Sequence, residues 1–514
     1  MCTNDFKAKI NWLIILMTSI RCICACLVEL GNDEVYYYTY AAQLDWNHFD
    51  HPPLVGVLIR FFTLNLHGVN DFSMRLGAIV SAAAATWLIA QIGMLIKNER
   101  TGFIAAILYN ASIYTGIIAG LFILPDSPAV LFWLASIYTF LNLLREPDQS
   151  KQNWLFTLTG LWIGLATMSK VHGCFLWLGI LGYIVFCKKT LLRSKGLYIG
   201  FMITAIVIMP IFIWNIQHDF ITYRFHGDRV AWQGFEINLQ TFAVALIGQF
   251  MYANPLVALL AAGMIWAYCH KETFLDRTTT HFLLWLSVPI IGLTTIISLF
   301  KPVLPHWSGP GLLAIMLLTA SWVDERLAIS AKMSKGRSMI NSMLYLNIVV
   351  MLLAVALVRY YPGTLGKKDE KHAGEGDFTL DMYGWRNFAE KFQQVQAKTG
   401  KLPLLVDKWF IGGHLYYYVA RPLNMPVVSY GSLHDLHKFA WLMEKGDCLM
   451  PGSSAYYVAA SNYYKDPRAL YPDLFEEITL LAKIPETRSG KVTRYWYIYK
   501  LERAKTTLGT SVWY

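Results

Sequence analysis

Runs of apolar residues long enough to cross a bilayer recur through the first 360 positions, and they restrict the fold more than any other feature of the chain. A helix needs about 20 such residues to span the hydrocarbon core. Candidates lie near residues 11–28, 76–96, 102–120, 127–144, 154–168, 171–187, 197–213, 240–269, 281–299, 307–323 and 341–359. The run at 240–269 is too long for one straight span, and Asn254-Pro255 interrupts it, so a break is expected there. Only 15% of the residues are charged, against about 25% in soluble globular domains. The chain therefore reads as a polytopic α-helical membrane protein with about eleven transmembrane helices.

The net charge of +10 follows from where the basic residues fall and does not point to a nucleic-acid partner. Lys97, Arg100, Arg145, Lys151, Lys188, Lys189, Arg193, Lys195, Lys271, Arg277, Arg326, Lys332, Lys335 and Arg337 occupy one alternating set of loops. The other set holds Arg60, Lys170, Arg224, Arg229 and Lys301. The positive-inside rule makes the richer set cytoplasmic, with the N-terminus inside and the C-terminal region outside an inner (plasma) membrane. The first run contains Arg21 and lacks a small-residue cleavage pattern before Glu29, so it reads as an uncleaved anchor. Eight cysteines suggest no disulfide framework. Cys22, Cys24 and Cys26 lie in an apolar run, where Cys acts as a small hydrophobe, and Cys448 stands alone in the tail.

From about residue 361 the composition changes. Lys367, Lys368, Asp369, Glu370 and Lys371 mark a solvated linker. GWRNFAEKFQQVQAKTG has helical periodicity, and LPLLVDKWF, MPVVSYG, SAYYVAAS and VTRYWYIYKLE read as strands. The expected organisation is a transmembrane domain over residues 1–360, with an external loop at 29–75, followed by an extracytoplasmic α/β domain over 361–514.

This orientation sorts the chemistry onto one face. Residues 29–75, the corner Leu124-Pro125-Asp126, Ser169-Lys170, the loop 214–239 and Lys301–His306 all emerge outside. Asp33, Glu34, Asp45, His48, Asp50 and His51 follow closely on the first apolar run. A carboxylate at a membrane surface is costly unless it is solvated or employed. Adjacent carboxylates among Tyr36, Tyr37, Tyr38, Tyr40 and Trp46 suit a sugar, which needs a base for a hydroxyl and flat faces for its rings. Tyr and Trp also populate membrane interfaces without a ligand, and for most of these five that reading is preferred.

The string DEVYYYTYAAQLDWNHFDHPPL closely resembles the first external loop of glycosyltransferase family 39. These are membrane enzymes of the GT-C fold, related to protein O-mannosyltransferases and to the lipid A aminoarabinose transferase. The resemblance continues in order through LPDSPAVLFW, GLATMSKVHG, IWNIQHDFITYRF, KPVLPHWSGP and LDMYGWRNFAE, and so covers nearly the whole chain. It implies transfer of a hexose or pentose from a polyprenyl-phosphate donor to an acceptor hydroxyl on the extracytoplasmic face. The acceptor would be a lipid, a glycan or a protein, and the other partners membrane lipids.

The resemblance assigns roles. Asp33 is the expected general base, taking the hydroxyl proton as the anomeric carbon is attacked from the face opposite the phosphate, with inversion. Glu34 would orient the sugar or tune Asp33 by like-charge repulsion. A solvated acidic pair at a helix start has the same sequence signature, since acids favour N-termini. Asp126 matches the family's second acidic site, although Asp-Ser-Pro also suits an N-cap. Where the aminoarabinose branch has Glu-Lys-Pro-Pro, with the acid in a metal site and the lysine near the phosphate, this chain has Asp50-His51-Pro52-Pro53. Asp50 and His218 are then candidate ligands for a divalent metal, though two ligands do not make a site. His51 is a candidate for binding phosphate or sugar. For the carrier phosphate Lys301 is expected first, then Arg224, then Lys170, against ordinary snorkelling at span ends.

Three other functions compete. A transporter or flippase for lipid-linked sugar would need paired half-helices or repeats with charges near mid-membrane, and no repeat is detectable. A glycan polymerase or ligase of the same fold would take a longer donor. A non-catalytic homologue would not be expected to keep both Asp33 and Asp126.

Overall fold

The computed structural model describes residues 3–230, 236–329, 333–442 and 448–509, with side chains at all of these except 3–4, 228–230 and 333–339. The expectations for Arg229, Lys332, Lys335 and Arg337 therefore rest on side chains outside the described residues. The chain divides into two compact units. One comprises Met1–Ile23, Asp45–Phe62 and Arg75–Met351; the other comprises Cys24–Leu44, Thr63–Met74 and Leu352–Tyr514. Two stretches of the expected external loop thus group with the C-terminal region.

Helices occupy each position where a span is expected. Among the described residues, six are long and apolar enough to cross a membrane: Asp5–Leu27, Asp71–Ile96, Asp126–Arg145, Lys195–Gln217, Arg277–Ser298 and Ile340–Tyr360. The bent pair Leu239–Ala253 and Pro255–Cys269 makes a seventh if it is one span. Glu99–Ala111, Gln149–Ser169, Cys174–Cys187 and Gly309–Ile329 are shorter or less apolar, so eleven full crossings are not reached on length and composition. The break expected at Asn254 is a bend of 102°. Asn254 adopts φ 74°, its side-chain oxygen accepts from the Leu256 N–H at 3.1 Å, and its amide donates to the Ala111 carbonyl at 2.9 Å.

Within the first unit, Gln149–Ser169 lies against Lys195–Gln217 backbone to backbone. A Cβ on Gly160 would stand 2.1 Å from the Gly200 carbonyl oxygen, the close approach that small residues permit between apolar helices. Thr204 Oγ1 adds a bond to the Gly160 carbonyl at 2.7 Å. This contact fixes the helix whose C-cap is Lys170.

Arg21 is fully buried. Its Nη2 donates to Asn110 Oδ1 at 2.9 Å and its Nε to the Gly116 carbonyl at 3.1 Å. Asn110 in turn donates to Thr86 Oγ1 at 3.1 Å, and Asn347 donates to the Asn110 carbonyl at 2.7 Å. A guanidinium within apolar helices is tolerated when such groups satisfy it. Gly116 lies in the π-helical turn Tyr114–Ile118, a form that often marks functional positions. Elsewhere in this unit Lys97 and Arg100 both pair with the buried Asp324.

The second unit contains a five-stranded mixed sheet of order β2-β1-β3-β5-β4. The strands are β1 (Leu404–Val406), β2 (Val427–Ser429), β3 (Ala455–Ala460), β4 (Phe475–Arg488) and β5 (Lys491–Ala504). β1 runs parallel to β2 and β3, and β5 is antiparallel to β3 and β4. Ser489 and Gly490, both at positive φ, close the β4–β5 hairpin in a turn whose twist matches its strands. The helix Asn32–Ala42 packs on Trp409–His414, where a Cβ on Gly413 would lie 2.9 Å from Val35 Cγ2.

Tyr36, Tyr37, Tyr38 and Tyr40 are all buried. The Tyr36 ring meets Trp409 at 5.1 Å, and the Tyr38 ring meets Tyr417 at 5.1 Å. These tyrosines form core of the second unit, not an interfacial belt. Trp46 is exposed.

Candidate functional site

Asp126 opens the helix Asp126–Arg145, but its carboxylate does not cap it. Ser127 serves the turn instead: its Oγ accepts from the Leu124 N–H at 3.3 Å and donates to the Phe122 carbonyl at 2.8 Å. The Asp126 carboxylate is thereby available to Lys170, whose Nζ donates to both oxygens at 2.9 and 2.8 Å. Both side chains are buried. The Tyr114 hydroxyl donates to Asp126 Oδ1 at 2.8 Å. Its ring lies where a side chain on Gly309 would be, with a Cβ there only 2.3 Å from Tyr114 Cζ. A buried carboxylate bonded by an ammonium and a hydroxyl is a fixed, ionised group.

Three histidines lie in the electrostatic reach of this pair: His51, His172 and His306. Burial pushes the His51 imidazole down to about 3, outweighing the opposite pull of Asp50. Burial, with Lys170 next, pushes His306 down to about 4. Both rings are therefore neutral at pH 7. Its loop is laced to the segment 214–226. Trp214 Nε1 donates to Asp45 Oδ2 at 2.8 Å, Asn47 Nδ2 to Thr222 Oγ1 at 3.1 Å, and His226 Nε2 to the Asp50 carbonyl at 2.8 Å.

Of the expected phosphate-binding cations, Lys170 is the one held by Asp126. Arg224 is exposed on Ile221–Val230. Lys301 is partly exposed just beyond Arg277–Ser298, and its N–H donates to the Ile297 carbonyl at 3.0 Å. The metal expectation does not fit the residues present. His218 Nδ1 donates to the Trp214 carbonyl at 2.8 Å and its ring stacks on that indole at 3.8 Å. Asp50 is buried. Among the described residues no three His, Cys, Asp or Glu side chains form a group that could hold a metal ion. Asp50 and His218 would supply two ligands where a site needs more.

In the second unit, the acidic pair at the start of Asn32–Ala42 separates by environment. Glu34 is buried and its Oε2 accepts from the Gly31 N–H at 3.0 Å. Asp33 is exposed. Two further acids of this unit are held by the C-terminal region. Glu29 accepts from the backbone N–H of Trp385 at 2.8 Å and of Arg386 at 3.1 Å, and burial nevertheless raises it to about 6. Asp71 pairs with Arg386 and accepts from the Tyr418 hydroxyl at 3.0 Å. Sequence reasoning assigned no role to Tyr114, His172, His306, Glu29 or Asp71. The partners of Glu29, Asp71 and His306 lie in distant segments, so no local spacing announced them.

The chain matches known proteins in both sequence and fold. Residues 50–214 match the family model described as dolichyl-phosphate-mannose-protein mannosyltransferase. The chain is 24% identical over 298 residues to the lipid A galacturonosyltransferase RgtD of Rhizobium johnstonii, covering 56% of this chain and 61% of that protein. It is 28% identical over 129 residues to the undecaprenyl phosphate-alpha-4-amino-4-deoxy-L-arabinose arabinosyl transferase of Pectobacterium atrosepticum, covering 25% of this chain and 23% of that one. The matched region thus spans less than two thirds of either relative. The structure of ArnT from Cupriavidus metallidurans bound to undecaprenyl phosphate superposes with a TM-score of 0.62 at 14% identity, covering 96% of this chain and 98% of that one. The chain is a polytopic membrane protein of GT-C fold that is similar, over residues 50–214, to the dolichyl-phosphate-mannose-protein mannosyltransferase family.

Proposed function

We propose that this chain is an integral-membrane glycosyltransferase. It moves a sugar from a polyprenyl-phosphate donor to an acceptor hydroxyl on the extracytoplasmic face, with inversion. The observation that carries this reading is the buried Asp126–Lys170 pair with its Tyr114 bond. It falls where the family resemblance puts an acidic site, in a stretch that matches the mannosyltransferase model. The names of the relatives support the same class: one is a lipid A galacturonosyltransferase, the other an arabinosyl transferase whose name includes an undecaprenyl-phosphate sugar.

Asp33 is the base, as the exposed member of the acidic pair. It takes the hydroxyl proton while the acceptor oxygen bonds to the anomeric carbon and the bond from that carbon to the phosphate oxygen breaks. The polyprenyl phosphate leaves with an added negative charge, which Lys301 and Arg224 stabilise, and the neutral His51 contributes a hydrogen bond. Glu34 holds the helix start. The N-terminus is cytoplasmic and the C-terminal region extracytoplasmic.

The test uses the purified chain in nanodiscs with a polyprenyl-phosphate sugar. The expected result is release of polyprenyl phosphate in step with glycosylation of a lipid, glycan or protein acceptor, identified by mass spectrometry of fractions from a deletion strain. Movement of intact lipid-linked sugar across proteoliposomes without such release would overturn the reading in favour of a transporter.

A further inference from the structure

Far from Asp126 along its own helix, the first unit holds an open cavity of about 550 Å³. Its lining comes from the end of Asp126–Arg145, the start of Gln149–Ser169 and the segment 188–195. Leu143 and Leu191 are buried and form an apolar floor with Leu144, while Lys188, Arg193 and Lys195 stand exposed around it. None of the lining residues is acidic. Asn153 Oδ1 holds the rim in place, accepting from Ser194 Oγ at 3.1 Å and from the Gly196 N–H at 3.0 Å.

Two aromatic side chains give the depth of this cavity. Trp154 follows the lining residue Asn153 and Tyr198 lies three positions beyond the lining residue Lys195, and each is 61% exposed. Exposed Trp and Tyr at the ends of apolar helices sit at the headgroup level of a bilayer. A cavity at that level with an apolar floor and three cations around it suits a phosphate diester whose acyl chains run down the helices. The loops that form it belong to the basic set that the positive-inside rule assigns to the cytoplasm.

We infer that this cavity binds the headgroup of an anionic phospholipid on the membrane face opposite the proposed transfer site. Leu143 stands 17 residues beyond Asp126 on one helix, roughly 25 Å at the helical rise, so the two sites share no side chain. The inference does not depend on the transfer reading and would survive its failure.

The experiment places the full chain in nanodiscs of phosphatidylcholine alone or of an equimolar mixture with phosphatidylglycerol, then measures retained lipid by native mass spectrometry. The unmodified chain should keep phosphatidylglycerol selectively. Each basic side chain near an anionic headgroup strengthens binding about fivefold, so the combined variant Lys188→Gln, Arg193→Gln, Lys195→Gln should lose at least about tenfold of that retention. Leu144→Trp, which keeps every charge and fills the floor, should also lose it, and this arm stands if the charge variant fails to fold. Transfer activity in phosphatidylcholine should be unchanged in both. Equal retention of the two lipids by the unmodified chain, or full retention by both variants, overturns the inference. Saturable binding of inorganic phosphate in phosphatidylcholine discs without selective lipid retention would also overturn it and assign the cavity to a soluble anion.

Discussion

Lys170 Nζ donates to both carboxylate oxygens of Asp126, so the C-cap of one helix is ionically bound to the first residue of another 44 positions earlier. Removing either partner alone leaves a buried charge unpaired, which costs roughly 3–5 kcal/mol. Asp126→Leu combined with Lys170→Met removes both charges. The double variant should melt above either single variant in detergent while all three lack transfer activity. A double variant no more stable than the singles would show that the pair does not couple these two helices.

Asp33 and Glu34 should part company on substitution. Asp33→Asn should keep its melting temperature and lower turnover by at least about a hundredfold, the usual size of a lost general base. Glu34→Gln retains an oxygen that can accept from Gly31 and should remain active. Glu34→Ala should lose about 1 kcal/mol of stability, as a lost helix-start bond does. Near-normal turnover in Asp33→Asn would remove it as the base.

Lys301→Ala should weaken donor binding and slow the chemical step together, because the phosphate gains charge as the glycosidic bond breaks. Lys301→Arg should recover only part of the loss, since a planar fork fills space differently from an ammonium. A lysine that merely snorkels gives the opposite pattern, with full activity in the Arg variant. Donor affinity and single-turnover rate, measured side by side, separate the two. Unchanged values in Lys301→Ala would move the role to Arg224.

His306 gives a pH dependence of definite sign. Its ordinary value of 6.5 is pushed down to about 4 in the folded chain. Between those values the unfolded chain binds the proton more readily, so stability falls as pH drops from 6.5 towards 4. His306→Gln should flatten the melting profile across that window. Lys170→Met should narrow the window from its lower end, since Lys170 is the second cause of the depression. An identical profile in His306→Gln would exclude this histidine as its source.

The helical positions were legible because apolar runs of this length have few alternatives, and the Asn254-Pro255 break was legible for the same backbone reason. The helix Trp385–Thr399 and four of the strands also fall on stretches that local pattern marks. β4 was missed: FEEITLLAKIPETR alternates poorly, and only its pairing with β5 makes it a strand. The site was legible as acids and cations along the chain but not as partners. Asp-Ser-Pro does mark a helix start, yet Ser127 does the turn's work and Asp126 reaches Lys170. The buried tyrosines of Asn32–Ala42 looked interfacial because their contacts, Trp409 and Tyr417, come more than 350 residues later.

Arg21 sets an order of events during synthesis. The first helix leaves the ribosome with a guanidinium among apolar residues, while its hydrogen-bond partners Asn110 and Gly116 lie 89 and 95 residues further along. Until those residues are made, these two bonds cannot form. The polar contacts of the first helix are thus completed only once Asn110 and Gly116 are in place, and the arginine ties that helix to these neighbours.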